Sequence, residues 1–220
     1  MGKVNAELVK RVLMCVFGVL ICGLSVGLFK ISAFGVDPFQ AFMAGLDAVV
    51  PIEFGPLYVI ANVVLLFFSF FADKKRIGLG TIINLFLVGY AVQFSYEFFQ
   101  RVLGEITLWQ RGICLAIGIV IMCFSSALYF TANLGVSTYD AVALIISENW
   151  KWGQFRFVRI ITDLCCVLTG CVLYLWAGNP ISTVAYIAGL GTIITAFFMG
   201  PLIAFFRKTV AEPLLGGTKS

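Results

Sequence analysis

Six long apolar runs, at 11–34, 54–72, 77–99, 112–133, 156–177 and 182–206, constrain this chain more than any other feature. A membrane-spanning helix needs about 20 mostly apolar residues in succession, and each run is of that order. Each is apolar around the whole helix rather than along one stripe, as expected where one side meets lipid and the other meets protein. Charged residues fill 12% of the 220 positions, about half the roughly 25% of a soluble domain. The sequence therefore reads as an all-α polytopic membrane protein with six transmembrane helices. The first run is too long for a signal peptide and lacks a convincing small-residue cleavage site, so it reads as mature structure.

Cation placement sets the expected orientation. With the N-terminus inside, Lys3, Lys10, Arg11, Lys74, Lys75, Arg76, Lys151, Arg156, Arg159, Arg207, Lys208 and Lys219 are cytoplasmic. Only Lys30, Arg101 and Arg111 are outside. The opposite orientation reverses this balance, so both termini are expected in the cytoplasm and the chain in the cytoplasmic (inner) membrane. The net charge of +4 then belongs to topology. With no basic tail or motif, nucleic acid is not an expected partner.

The chain repeats itself. A shift of 100 pairs Gly18/Gly118, Ile21/Ile121, Ser25/Ser125, Leu28/Leu128, Gly35/Gly135, Val36/Val136 and Ala41/Ala141. A shift of 111 pairs Gly78-Leu79-Gly80-Thr81-Ile82-Ile83 with Gly189-Leu190-Gly191-Thr192-Ile193-Ile194, and continues at Phe86/Phe197 and Gly89/Gly200. The matches fall in the same order, so 1–100 and 101–220 read as two copies of one three-helix unit within a single membrane domain. An odd number of spans per copy makes the second enter the membrane from the opposite side, the inverted-repeat plan common in transporters.

Two shorter segments, 38–50 and 138–148, cannot span. Each follows a glycine break, in Gly35-Val36-Asp37-Pro38-Phe39-Gln40 and Gly135-Val136-Ser137-Thr138-Tyr139-Asp140. Asp37 and Ser137 are favoured N-caps, Pro38 suits the first helical position, and Gln40 and Asp140 stand at the capping-box position. Two readings are open. Either each is a re-entrant half-helix offering its positive end to a solute or ion, or each lies in the interface with Gln40 and Asp47 wet and Phe39, Phe42 and Leu46 buried.

Glycines of the doubled Gly-Leu-Gly-Thr let another backbone approach closely, so Gly35, Gly135, Gly80 and Gly191 are expected packing positions. The alternative is that the segments line a shared path. Neither copy follows a strand in a βαβ unit, which excludes a nucleotide loop.

Ionisable residues inside spans are functional candidates by default. Arg159 and Asp163 are four apart and can pair, although Arg159 is expected to snorkel to the cytoplasmic face. Asp163 is deeper and is the foremost candidate. Asn62 occupies a similar place in the first copy, and Lys30, Asn84, Gln93, Glu97 and Asn133 add polar atoms. The expected solute or ion pathway comprises Asp163, Asp140, Tyr139, Ser137, Asp37, Gln40, Asn62 and Asn84.

No enzyme pattern emerges. Histidine is absent, no base stands beside a nucleophile, and there is no P-loop. The seven cysteines lie in apolar runs without Cys-x-x-Cys spacing, which excludes a disulfide framework and leaves no metal site or cofactor to expect. They read as packing residues.

At Phe34-Gly35-Val36-Asp37-Pro38-Phe39, its echo at Leu134–Asp140, and the doubled Gly-Leu-Gly-Thr-Ile-Ile, the chain resembles the YczE/YitT-type integral membrane proteins of bacteria, over about 8–207. The resemblance implies a bacterial cytoplasmic-membrane protein with a duplicated core, and implies no substrate. From the residues themselves, the expected function is a small-solute transporter or channel with its pathway between the copies. The rivals are a membrane-embedded substrate-binding subunit served by a separate ATPase, and an assembly or regulatory membrane protein that moves no solute. Expected partners are the bilayer and a small solute or ion, with a homodimer also open.

Overall fold

A computed structural model describes residues 2–216. Among them every regular element is helical. The first half of the chain holds α1 (Gly2–Ser32), α2 (Pro38–Val49), α3 (Phe54–Ala72) and α4 (Leu79–Leu103). The second holds α5 (Leu108–Ala132), α6 (Thr138–Leu144, continued by a π turn to Asn149), α7 (Phe155–Trp176) and α8 (Leu190–Phe206). A second π turn (Arg207–Ala211) and the short α9 (Glu212–Leu214) close the chain.

Five helices are long and apolar enough to cross a membrane. The sixth expected span departs from a straight helix. Ile181–Ala196 and Met199–Leu214 reach the length and apolarity of a sixth span only as a pair, bent by 58° at the break between them, with Ile181–Tyr186 wound as 3-10 helix. Pro201 lies inside α8, where a missing N–H and a ring clash disfavour straight continuation. Large apolar side chains such as Phe71, Phe94 and Val172 face outward, and Trp109, Trp152 and Trp176 are exposed near helix ends. This is the distribution of a surface that meets lipid tails and headgroups.

Small residues set the close crossings, as is usual where no water drives helices together. The long pair at the centre, α1 and α5, is antiparallel. Gly18 lies against the Ser125 carbonyl and the Tyr129 amide, Gly118 against the Phe29 ring, and Cys22 Sγ is 3.6 Å from Met122 Sδ. Residues 22 and 122 are counterparts in the repeat, so the two helices cross at equivalent points. Gly23 meets Ala91 and Gly27 meets Ser95, which sets α4 parallel to α1. On the other side α8 runs parallel to α5, with Gly191 beside Leu115 and Cys123 beside the Met199 carbonyl.

The short helices exchange partners between copies. Gly170 of α7 lies against Ala41 and Phe42 of α2 and against Gly45, while Thr138 of α6 hydrogen-bonds Asn62 of α3. Neither short helix lies on the outside. Gln40, Ala41 and Met43 are buried, so Gln40 is not wet as the interfacial reading expects, whereas Asp47 is exposed and Phe39 buried as that reading expects.

The doubled Gly-Leu-Gly-Thr segments form two reciprocal clasps. Gly80 N donates to Leu134 O at 2.7 Å, and Gly191 N donates to Phe34 O at 2.6 Å. Val136 N reaches Arg76 O at 3.4 Å, and Val36 N reaches Ile187 O at 3.3 Å. The break after α1 is thus closed by the start of α8, and the break after α5 by the start of α4. Gly35 and Gly135 adopt φ of 99° and 112°, in the left-handed region that favours glycine. A Cβ on Gly135 would sit 2.7 Å from Gly78 N, and one on Gly189 would sit 2.5 Å from Phe34 O.

Candidate functional site

A cavity of about 460 Å³ is lined by residues from both halves of the chain. The starts of the two short helices form its floor. Asp37, in extended backbone, caps α2 by accepting from Gln40 N at 3.2 Å. Ser137 caps α6 by accepting from Asp140 N at 3.1 Å, and its hydroxyl donates to Asp140 at 2.7 Å. The caps form as the sequence indicates, but the reciprocal capping-box bond of Gln40 does not. Its Oε1 is buried without a donor. Immediately inside each cap stands an aromatic residue, and these two equivalent residues, Phe39 and Tyr139, stack with ring centroids 5.0 Å apart.

An ionic cluster occupies the second-copy side. Arg159 pairs with Asp140 through one terminal nitrogen and with Asp163 through Nε at 3.1 Å. Its guanidinium also lies over the Tyr139 ring, 4.4 Å from the centroid, a geometry that adds cation–π attraction. The Tyr139 hydroxyl donates to Asp163 at 2.5 Å. This corrects the expectation that Arg159 reaches out to the headgroups. Its planar fork serves two carboxylates and a ring at once, a set of contacts that a snorkelling side chain forgoes.

On the first-copy side, Asn62 is almost fully buried, donates to Tyr58 O at 2.8 Å and accepts from the Thr138 hydroxyl. Asn62 and Asp163 therefore play parallel parts, each accepting from a side chain at the start of α6. Asp163, Asp140, Tyr139, Ser137, Asp37, Gln40, Asn62 and Asn84 all border the one cavity. Gly35, Gly80, Gly135 and Gly191 do not; they belong to the clasps.

Lys30 is also elsewhere, its ammonium 3.5 Å from the Phe54 ring centroid. Gln93 and Glu97 belong to a separate network near the start of α3, where Gln93 accepts from Gly55 N at 2.9 Å and donates to Glu53 and Glu97. Asn133 ends α5 in left-handed backbone.

Sequence reading missed the aromatic walls. Tyr58, Tyr129 and Phe39 border the cavity yet look like ordinary core residues in an apolar chain. Only the match of Phe39 to Tyr139 at the shift of 100 marked one of them.

The fold and this site define a multi-span helical membrane protein with an aromatic-walled cavity that several polar and charged side chains border. The chain belongs to a family of unknown function, DUF6198, whose model matches residues 9–208. An uncharacterized protein of Haemophilus influenzae is 26% identical over 205 residues, covering 92% of this chain and 86% of that protein. Two Bacillus subtilis proteins are each 25% identical. The uncharacterized protein YyaS matches over 198 residues (90% of this chain, 92% of the relative), and the uncharacterized membrane protein YczE over 202 (90% and 86%). No solved structure matches the chain.

Proposed function

We propose that this protein is a non-enzymatic small-solute transporter or channel of the bacterial inner membrane, with its pathway between two inverted copies. The observation that carries the reading is the meeting of the two short helices at the cavity, Phe39 on Tyr139, with charged side chains held inside an otherwise apolar bundle. Charges within a membrane domain are costly and tend to mark solute or ion paths. Broken helices whose ends meet at a repeat interface are a recurrent way of building a binding site near the bilayer midplane. The antiparallel α1–α5 crossing at Cys22 and Met122 and the reciprocal clasps support a two-fold axis in the membrane plane. On this reading α2 and α6 are re-entrant half-helices entering from opposite faces.

Helix packing around the cavity is unequal. α4 packs against α1 and α3, whereas among the described residues α8 packs on α5 without a comparable interface to α7. Phe155 of α7 and Ile203 of α8 line the cavity at that side.

Flux of small charged and neutral solutes through proteoliposomes holding the purified protein tests the reading. We expect protein-dependent flux for at least one solute class, abolished by Ser126→Trp, which fills the cavity from α5. Flux that survives this variant, or no flux for any class from folded protein, would overturn the proposal. Copurification with an ATPase pair would assign the cavity to a binding subunit instead.

A further inference from the structure

We infer that the cavity binds a small organic ammonium ion, a protonated amine on an apolar body, held by Asp37 against the aromatic walls. This inference rests on the solute-site reading above and names the chemistry of that site.

The charge balance comes first. Asp37, Asp140 and Asp163 line the cavity with Arg159, so three carboxylates face one guanidinium and leave a formal charge of −2. The starts of α2 and of the α6 turn-helix each contribute roughly +0.5, which leaves about −1. One monovalent cation completes the site, whereas an anion doubles the deficit.

The positions of the charges then single out one carboxylate. Arg159 is committed to Asp140 and Asp163. Asp37 is in no ion pair among the described residues; its carboxylate accepts from its own helix start.

Two independent side chains point to a ligand that donates hydrogen bonds. Gln40 is 3% exposed and Tyr129 is 8% exposed. Both border the cavity, and both Gln40 Oε1 and the Tyr129 hydroxyl lack a partner. A buried polar atom left unpaired is costly and uncommon. An ammonium N–H supplies what a carboxylate acceptor, an amide oxygen and a phenol oxygen lack.

The walls choose an organic cation over a metal ion. Hard cations take shells of six or more oxygens, while the rings of Phe39, Tyr58, Tyr129 and Tyr139 crowd this cavity. Aromatic faces attract cations and accommodate their apolar substituents.

Three probes of one shape and three charges test this: phenethylammonium, phenylacetate and 2-phenylethanol, each radiolabelled, by equilibrium binding to the purified full-length protein in detergent at pH 7. We expect saturable binding of phenethylammonium alone, weakened at least tenfold by Asp37→Asn. Because loss of a cap can destabilise the fold, Gln40→Leu provides a second variant. It removes an unpaired buried polar group, so its melting temperature should hold or rise while phenethylammonium affinity falls several-fold. Equal or tighter binding of phenylacetate or the alcohol would overturn the ammonium class and leave a solute site in place. No saturable binding of the amine to folded protein, or unchanged affinity in both variants, would overturn the inference. Proteoliposome flux is read separately, so a protein that binds phenethylammonium but moves no solute keeps this site and loses only the transport reading.

Discussion

Arg159 is the residue on which the site turns, because it joins α7 to α6 through two carboxylates and one ring. Removing Asp163 still leaves Arg159 its bond to Asp140, so Asp163→Asn should fold and lose only solute-dependent function. Removing the guanidinium leaves Asp140 and Asp163 facing each other and Asp37 across the cavity without a counter-charge. Arg159→Leu should therefore lower stability by about 1–3 kcal/mol, and the Arg159–Asp163 double-mutant cycle should give a coupling of the same sign. Melting of the purified variants in detergent measures both; a coupling near zero would make the pair incidental. Arg159→Lys should resemble loss of one arm, since a point-charge ammonium cannot bridge both carboxylates and stack on Tyr139.

At the scale of elements, the glycine contacts give both Gly-Leu-Gly-Thr segments the same packing role. A Cβ at Gly78 collides with the Leu134 carbonyl, which is backbone and cannot rotate away. Gly78→Ala should cost about 1–3 kcal/mol by overpacking. Gly112 has no neighbour within 4 Å, and Gly112→Ala should instead stabilise α5 slightly, by roughly 0.5–1 kcal/mol. Equal melting shifts for the two would contradict the clasp.

These elements also show what a sequence makes legible. The long apolar runs, the caps at Asp37 and Ser137 and the duplicated segments can be read directly, because length, side-chain chemistry and self-similarity are local. Which copy each clasp closes cannot, because Gly80 seeking Leu134 and Gly191 seeking Phe34 depend on how the halves dock. Arg159 escaped for the same reason. Its partner Asp163 lies one turn away and was visible, while Asp140 arrives from another helix.

For the whole molecule, the cation asymmetry predicts sidedness. In a cysteine-free background, single cysteines at Lys75 and Lys151 should be shielded from an impermeant thiol reagent added to intact cells, and one at Glu105 should be labelled. All three positions are solvent-exposed in the fold. Labelling at 75 and protection at 105 would invert the orientation, and labelling at all three would break the three-plus-three scheme. The path of the chain supports an even number of crossings, since α1 runs parallel to α4 and antiparallel to α5, while α8 follows α5.

The reciprocal clasps also set a timetable for biosynthesis. When the ribosome has released the first copy, the Phe34 carbonyl and the Gly80 amide have no partner in anything yet made. An open backbone group in hydrocarbon costs several kcal/mol, so the Gly80 amide is closed only after Leu134 emerges and the Phe34 carbonyl only after Gly191 does. A chain that stops before α8 therefore leaves the Phe34 carbonyl without the Gly191 amide that closes it.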